Sequence, residues 1–288
     1  MRVSVIQMNA GSDKQDNIRQ AGRLIDAAVA ADRPDIVSLP EVWTCLGGSR
    51  AGKFEQAEDL PPPGSNASGG PAYEFLRMVA RTRQIHVHGG SMGERGGGER
   101  GGGERGGERL FNTTLVFGPD GQELARYRKI HLFDITAPDG AGFKESDTYA
   151  GGDAIVTYAA GGVRVGCAIC YDLRFPEIFL ALRRAGAELI FLPSNFAMQT
   201  GKDHWDVLIR ARAIESQCWI AAPAIWGKYS DGAGDVRWAY GNSLLCDPWG
   251  HIVAKVSDGI GWATARIDPA VTERVRRDMP MLEHRRLA

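Results

Sequence analysis

The chain has 288 residues, of which 43% are hydrophobic and 24% charged, a balance typical of globular proteins that fold in water. Its 34 lysine and arginine residues nearly match its 35 aspartate and glutamate residues, so the net charge of −1 offers no general footprint for nucleic acid or an anionic membrane. No run of about 18 apolar residues and no signal-peptide pattern appears, and the five scattered cysteines favour free thiols. We therefore expect a cytoplasmic protein with neither a nucleic-acid nor a membrane partner.

Strand and helix patterns alternate through the first half of the chain. Residues 1–8 alternate apolar and polar side chains like a strand, and the S-x-x-Q of residues 12–15 has the form of a capping box before a helix that Pro34 closes. The apolar run at 35–39 predicts a second strand. A helix that begins at Pro71 and strands at 85–88, 112–117 and 123–130 complete this half.

The second half repeats the alternation. Predicted strands lie at 154–158, 163–170, 188–192, 218–225, 243–246 and 252–256, and predicted helices at 176–185 and 203–217. No linker composition separates the halves. The pattern predicts one α/β domain over residues 1–288, with sheets covered by helices.

Residues 93–109 repeat Gly-Glu-Arg-Gly with slight variation, a low-complexity and charge-balanced composition. The segment lacks the Gly-Lys-Ser/Thr ending of a phosphate-binding loop and the interleaved aromatics of an RNA-binding segment. We interpret it as a flexible loop inserted in a hairpin, since surface loops tolerate insertions.

Three side chains of different chemistry lie at or near the ends of predicted strands: Glu41, Lys129 and Cys170. Sites in open α/β sheets form beyond the carboxyl ends of the strands, so these three groups are expected to meet. A cysteine thiol is mostly protonated at neutral pH, and a neighbouring carboxylate can take its proton as the sulfur attacks a carbonyl group. A lysine ammonium and the main-chain N–H of Tyr171 could then stabilise the oxyanion.

Each residue also has an ordinary structural interpretation. A glutamate after a strand is usually a solvated loop charge, and Lys129 stands in a basic run that could face solvent. Cys170 could be a small core residue. The C-x-x-C of Cys167 and Cys170 ends an apolar strand and has no second pair at zinc spacing, so we predict no metal site there. The G-x-S-x-G of residues 89–93 precedes a glycine-rich stretch rather than the helix that a nucleophile elbow requires.

Longer segments decide between these interpretations. LPEVW at 39–43, YRKIHLFD at 127–134 and CYDLRFPE at 170–177 resemble, in order, the three signature segments of the nitrilase superfamily of carbon–nitrogen hydrolases. The resemblance continues at 200–215, 240–243, 247–250 and 279–286 and covers nearly the whole chain apart from the glycine-rich loop. It is strongest to the amidase branch that includes ω-amidase and deaminated-glutathione amidase.

The resemblance implies a four-layer αββα sandwich and a triad acting without metal or organic cofactor. Glu41 would be the base and later the acid, Lys129 would hold the oxyanion, and Cys170 would form a thioester as ammonia leaves. FKES at 143–146 matches the segment of a second glutamate in many members, so Glu145 is the candidate for positioning the substrate or Lys129. Members commonly pair, which implies a homodimer or larger assembly with the C-terminal arm, 271–288, at a subunit interface.

The sequence predicts the substrate less precisely than it predicts the reaction. Arg174 could meet a substrate carboxylate, for which a guanidinium is suited, or could form an ion pair with Asp172 or Glu177. Tyr171 follows the nucleophile, and three further residues, Asn195, Phe196 and Thr200, could line the pocket or merely cap a helix.

Three substrate classes follow from comparison with the family's branches. An amide of a small ω-amidated or dicarboxylic acid ranks first. Leu173 replaces the first of two adjacent arginines of the carbamoylases, so an N-carbamoyl amino acid ranks lower. True nitrilases typically carry Trp where this chain has Tyr171, so a nitrile ranks third. A catalytically silent interaction module is the non-enzyme alternative.

Overall fold

The computed structural model describes residues 1–65, 67–96, 108–136, 142–232 and 234–286. The first half contains nine regular elements within these ranges: β1 (Arg2–Gln7), α1 (Lys14–Asp32), β2 (Ile36–Ser38), α2 (Arg50–Gln56), α3 (Pro71–Arg83), β3 (His86–His88), β4 (Met92–Arg95), β5 (Leu110–Phe117) and β6 (Glu123–Arg128).

The second half begins with a hairpin and continues through a further set of strands and helices. These are β7 (Asp134–Thr136), β8 (Gly142–Lys144), β9 (Tyr149–Ala150), β10 (Thr157–Ala160), β11 (Val163–Cys167), α4 (Pro176–Arg184), β12 (Leu189–Phe191), α5 (Met198–Ser216), β13 (Trp219–Ala222), β14 (Trp226–Ser230), β15 (Val236–Tyr240), β16 (Leu244–Cys246), β17 (Ile252–Lys255), β18 (Gly261–Arg266), α6 (Pro269–Asp278) and α7 (Met281–His284). Two 3₁₀ turns, Glu145–Asp147 and Cys170–Arg174, lie at the site described below.

Both sheets contain three parallel strands joined through helices. In the first sheet β1, β2 and β3 are parallel, with α1 and α3 in the connections, and the described strand order is β18-β1-β2-β3-β5-β4 with β6 and β9 also paired to β5. In the second sheet β11, β12 and β13 are parallel, with α4 and α5 between them, and the order is β10-β11-β12-β13-β16-β17. The carboxyl ends of parallel strands therefore supply loops from both sheets.

The sheets pack face to face. One core cluster joins Val5 and Ile36 of the first sheet to Val165 and Ile190 of the second, and His88 of β3 stacks on Phe191 of β12 with ring centroids 4.5 Å apart. The apolar faces of α1 and α3 cover the first sheet, and those of α4 and α5 cover the second. The layers run helix, sheet, sheet, helix, so the predicted four-layer α/β sandwich is confirmed.

Helix α1 begins one residue later than its sequence pattern suggested. The N-cap is Asp13, whose carboxylate accepts a hydrogen bond from the N–H of Asp16, rather than Ser12. Aspartate is as good an N-cap as serine, and its charge also favours the positive end of the helix.

The predicted glycine-rich loop begins inside a strand. Residues Met92–Arg95 form β4, which pairs antiparallel with β5 as far as Arg95 opposite Leu110. Residues 97–107 lie outside the described residues, so for them the flexible insertion stays a prediction.

The C-terminal segment packs first on its own chain. In α6 the side chains of Thr272 and Val275 are buried, and Trp219 Nε1 of β13 donates to Thr272 Oγ1 at 3.1 Å. Arg276 donates to the main-chain oxygen of Ala187 at 2.6 Å. The predicted role of segment 271–288 at a subunit interface stays a prediction, since α6 also keeps an exposed face that includes Glu273 and Arg274. Among the described residues, no helix has the length and apolar character that crossing a membrane requires.

Candidate active site

Both sheets contribute to one cavity of about 310 Å³ at the carboxyl ends of their strands. Glu41 follows β2 by three residues, Lys129 directly follows β6, and Cys170 follows β11 by three residues. Glu145 opens the 3₁₀ turn after β8. The structure therefore brings all four residues predicted to be catalytic into the lining of the same cavity.

Cys170 stands at the first position of a 3₁₀ turn with a φ of +46°, in the left-handed region that non-glycine residues rarely adopt. Its main-chain N–H donates to the oxygen of Pro193 at 3.0 Å, which ties the turn to the loop after β12. Val42, directly after Glu41, has a φ of +42°. Backbone conformations of this kind are held by the surrounding structure and are concentrated at functional sites.

Both carboxylate oxygens of Glu41 are occupied. Oε1 accepts from Lys129 Nζ at 2.8 Å and from Asn112 Nδ2 at 3.0 Å, and Oε2 accepts from the main-chain N–H of Asn195 at 2.9 Å. The charge of the carboxylate acts on the nearby thiol of Cys170, whose sulfur lies 3.9 Å from the main-chain oxygen of Asn195. Glu41 is thus fixed near the thiol, as a base for Cys170 must be.

Glu145 is the second carboxylate on Lys129. Lys129 Nζ donates to Glu145 Oε2 at 2.8 Å and to Oε1 at 3.1 Å, and the main-chain N–H of Phe133 donates to Oε2 at 2.7 Å. Lys129 is only 1% exposed, and a buried ammonium requires such paired acceptors.

The three central groups have displaced pKa values. Burial raises the pKa of the Cys170 thiol well above its ordinary value, and the charge of Glu41 raises it further while Lys129 opposes the rise. Burial raises the pKa of Glu41, with Lys129 opposing. Burial would lower the pKa of Lys129, but Glu145 and Glu41 outweigh it and hold that pKa well above its usual range. The site therefore holds a protonated thiol and an ammonium at neutral pH, so a base would have to take the thiol proton if the sulfur were to attack a substrate.

A buried carboxylate joins the segments that carry Lys129 and Cys170. Asp172 Oδ2 accepts from Tyr127 Oη at 2.7 Å and from the N–H of Ile169 at 2.8 Å. Its Oδ1 accepts from Nδ1 of His131 at 2.7 Å and from the N–H of the same residue at 3.1 Å. We call Asp172 and these three partners the Asp172 clamp.

Arg174 forms no ion pair among the residues the structure describes, so of its two sequence-based interpretations the ion pair with Asp172 or Glu177 is wrong. Its guanidinium lies 3.3 Å from His204 Nδ1, 5.6 Å from the ring centre of Phe196 and 5.9 Å from that of Tyr171. The four oxygen contacts of Asp172 are taken by the clamp. Arg174 lines the cavity, and its guanidinium is suited to receive an anion there.

The other predicted pocket residues also line the cavity: Tyr171, Asn195, Phe196 and Thr200. Asn195 does not cap α5, whose N-cap residue is Ala197, and its main-chain N–H donates to Glu41. Thr200 lies within α5, where its hydroxyl donates to the oxygen of Ala197 at 3.3 Å.

Several residues of the site were missed from the sequence. Asn112 lies behind the cavity lining, in the buried strand β5, and a buried amide was a usable signal because it needs partners. Lys53, Tyr229 and Arg237 line the cavity but belong to α2 and the β14–β15 hairpin, which no motif marked.

The remaining cysteines and histidines suggest no second centre. All five cysteines are buried free thiols, and Cys167 lies within β11 in the core. No group of three or more potential metal-ligating side chains occurs in the described ranges.

The comparisons with known proteins identify the family to which this fold belongs. The family model for carbon-nitrogen hydrolase matches residues 2–277, so the chain belongs to the carbon–nitrogen hydrolase family. The predicted membership is confirmed.

Curated relatives and a solved structure agree with the family. The chain is 37% identical over 289 residues to the deaminated glutathione amidase of Synechocystis sp., covering 98% of this chain and 97% of that protein. It is 36% identical over 289 residues to the human omega-amidase NIT2, covering 99% and 95%. The crystal structure of Saccharomyces cerevisiae Nit3, a member of branch 10 of the nitrilase superfamily, superposes with a TM-score of 0.84 at 28% identity, covering 100% and 97%.

Proposed function

We propose that the chain is a cofactor-independent amidase that hydrolyses a small-molecule amide through a thioester on Cys170. The observation that carries the proposal is the convergence of a thiol, a carboxylate and an ammonium in one cavity, each held by named hydrogen bonds. The relatives named as amidases support the same reaction class.

The first half-reaction forms the thioester. Glu41 takes the thiol proton while the sulfur of Cys170 bonds to the carbonyl carbon. The negative charge on the carbonyl oxygen is stabilised by Lys129 and by the main-chain N–H of Tyr171. Glu41 then gives its proton to the amide nitrogen, the carbon–nitrogen bond breaks, and ammonia leaves.

The second half-reaction hydrolyses the thioester. Glu41 takes a proton from a water molecule, and the oxygen of that water bonds to the thioester carbon. When the carbon–sulfur bond breaks, the proton held by Glu41 returns to Cys170 and the carboxylic acid leaves. Glu145 would act throughout by holding Lys129 in place as the oxyanion forms and disappears.

The substrate class that we propose is an amide with a carboxylate elsewhere in the molecule. Arg174 would bind that carboxylate, because its guanidinium faces the cavity without an acidic partner in the described chain. The aromatic rings of Tyr171 and Phe196 lie beside it and would pack on the carbon chain. An N-carbamoyl amino acid and a nitrile are the alternatives.

The test is product release from a panel of 2-oxoglutaramate, deaminated glutathione, N-carbamoyl amino acids and simple nitriles. Hydrolysis of one amide that is lost in Cys170→Ala and kept in Cys167→Ala is the expected result, since Cys167 is a buried thiol in the adjacent strand. Turnover of a nitrile or an N-carbamoyl compound in preference would assign the substrate class differently. Silence across the panel, with no labelling of Cys170 by a thiol reagent, would favour the interaction module.

We further propose a homodimer or larger homo-oligomer that uses the outer face of α5. Val207 and Ile214 of this helix are 66% and 42% exposed, and Trp249 nearby is 52% exposed. Light scattering should find an assembly that Val207→Glu weakens. The matched variant Val236→Glu, at an apolar residue 60% exposed on β15, should leave the assembly intact. A monomeric parent protein would contradict the proposal.

Reduced, buried cysteines fit a reducing compartment, and a cytoplasmic location is part of the proposal. Cell fractionation tests it directly.

A further inference from the structure

Asn112 contacts all three charged residues behind the nucleophile. Its Nδ2 donates to Glu41 Oε1 at 3.0 Å and to Glu145 Oε1 at 3.2 Å. Its main-chain oxygen accepts from the N–H of Lys129 at 2.9 Å. The residue lies on β5 and has no exposed surface, so water cannot replace these contacts.

The charged groups around Asn112 carry a net negative charge when both glutamates are ionised. Glu41 and Glu145 face one ammonium, Lys129, so two ionised carboxylates leave one negative charge unpaired in a buried site. Like charges that share a site raise one another's pKa. The two N–H groups of Asn112 point at the same two oxygens that Lys129 also contacts, one N–H to each carboxylate.

The orientation of the amide supports this role. With Nδ2 between the two glutamates, Oδ1 is buried and has no hydrogen-bond partner among the described residues. Turning the amide over would aim an oxygen at both carboxylates. A buried acceptor without a partner is destabilising. The amide therefore has this orientation because of the two hydrogen bonds that Nδ2 donates, in spite of the unpaired Oδ1.

We propose that Asn112 is a positioning residue that keeps Glu41 ionised and oriented as the base for Cys170. The inference rests on the proposed function in taking Glu41 as that base. Asn112 is not itself a lining residue of the cavity and acts through Glu41 and Glu145, which are. The titratable or charged groups that face Glu41 are Lys129, Glu145, Cys170, Tyr149 and Tyr229, and all of them remain when Asn112 is replaced.

The first test is the pH profile of kcat/KM in Asn112→Leu, which removes the donors at nearly constant volume. Losing a donor to the ionised form raises the pKa of Glu41, so the acid limb should move to higher pH by about one unit, a tenfold loss on that limb. Asn112→Asp keeps the shape, adds an acceptor, and should shift the limb in the same direction. This variant decides the matter if the leucine variant does not fold.

The matched control is Thr114→Val. Thr114 lies two residues along β5, is fully buried, and donates to the main-chain oxygen of Gly90 at 2.6 Å. Its replacement should lower the unfolding midpoint while the acid limb stays in place. If the role of Asn112 were only structural, its variants would also lower the unfolding midpoint and leave the acid limb in place.

A second readout does not need turnover. The rate at which iodoacetamide alkylates Cys170, followed by mass spectrometry, should rise with pH through an inflection set by Glu41, and both Asn112 variants should move that inflection upward. An inflection at the same pH in the variants and the parent protein overturns the inference, whether or not any amide is hydrolysed. Failure of the substrate panel alone overturns only the proposed function.

Discussion

At the scale of single residues, the environment of Glu41 matters more than its identity. A glutamate after a strand is usually a solvated charge, yet here it is 4% exposed and meets an ammonium, two N–H donors and a thiol. The thiol beside it is neutral at neutral pH because burial and the Glu41 charge both raise the pKa of Cys170. The proposed reaction therefore depends on proton transfer to Glu41 and not on a preformed thiolate.

The first prediction follows from that dependence. Glu41→Gln keeps the volume but cannot take the thiol proton, and kcat should fall by about 10²–10⁴-fold, the range for removing general acid–base help. Steady-state product release measures it, and circular dichroism checks that the variant is folded. Retention of most of the activity in a folded variant would mean that another group is the base.

Arg174 gives the second prediction. Replacing it with glutamine removes a charge-assisted pair with the substrate carboxylate, worth about 1.5–3 kcal/mol, so KM for the carboxylate-bearing amide should rise about 10- to 100-fold. The matched comparison is the neutral analogue of the same amide, for which KM should hardly change. If KM rose equally for both compounds, Arg174 would instead have a structural role in its loop.

The limits of sequence reasoning are visible at this scale. Glu41, Lys129 and Cys170 could be placed together because each lies close after a strand and each lies in a recognisable segment. The partner of Arg174 could not be predicted, because whether Asp172 is available depends on contacts from distant strands. Asn112 could be suspected as an amide in a buried strand, but its two acceptors are 71 and 33 residues away in the chain.

At the scale of elements, the Asp172 clamp fixes the segment that carries Lys129 to the segment that carries Cys170. Tyr127 and His131 lie two residues before and two residues after Lys129, and Ile169 directly precedes Cys170. The carboxylate has no exposed surface, so removing a donor leaves an oxygen that water cannot easily reach.

The third prediction is that Tyr127→Phe lowers the free energy of unfolding by about 1–3 kcal/mol, the cost of an unpaired buried acceptor, and lowers kcat as well. Urea unfolding and steady-state kinetics measure the two effects. Tyr158→Phe is the control, because Tyr158 Oη is buried without a hydrogen-bond partner in the described chain and its loss should cost nothing. Similar destabilisation by both variants would refute the clamp.

Most elements could be predicted, and the misses have physical causes. Helix α3 and strands β3 and β5 fall within two residues of their predicted positions, because Pro71 and apolar runs mark them. Helix α5 begins at Met198 rather than 203, since Met198 and the residues after it are mostly exposed and give no apolar periodicity. Strands β14, β15 and β18 were missed because their side chains are only partly buried.

At the scale of the whole molecule, the interface between the sheets holds an acid-sensitive group. His88 is fully buried, stacks on Phe191 of the opposite sheet, and has a ring nitrogen, Nε2, without a partner among the described residues. Burial lowers the pKa of His88 to about 3. The folded protein therefore keeps His88 neutral over a range where the unfolded chain, with the ordinary value of 6.5, is protonated.

The fourth prediction is the resulting pH dependence of stability. Above pH 6.5 the contribution of the neutral His88 to the free energy of unfolding is fully present. As pH falls from 6.5 towards 3, the free energy of unfolding decreases by up to about 1.4 kcal/mol per pH unit, because the unfolded chain binds a proton at His88 and the folded protein does not. Urea unfolding of His88→Phe should show a correspondingly shallower decline over that window. The exposed residue His251 provides the control, and His251→Phe should decline like the parent protein. An unchanged slope in His88→Phe would contradict the assignment.

The four-layer arrangement could be inferred from the alternation of strands and helices together with the family resemblance. The pairing of the two sheets could not, because no sequence pattern states that Val5 and Ile190 share one core. What the alternation did indicate was an α/β domain with sheets covered by helices. The structure shows that each sheet contains parallel strands, and hence that there are two sets of carboxyl-end loops.

The Glu41–Asn195 hydrogen bond, 2.9 Å from Oε2 to the main-chain N–H, spans those two sets of loops. Glu41 belongs to the first sheet, while Asn195 and Cys170 belong to the second. The proposed reaction therefore requires the two sheets to keep their alignment with each other. Neither half of the chain should be active when it is expressed alone. Activity should disappear during unfolding at the point where the sandwich opens, even while each sheet still keeps its own strands.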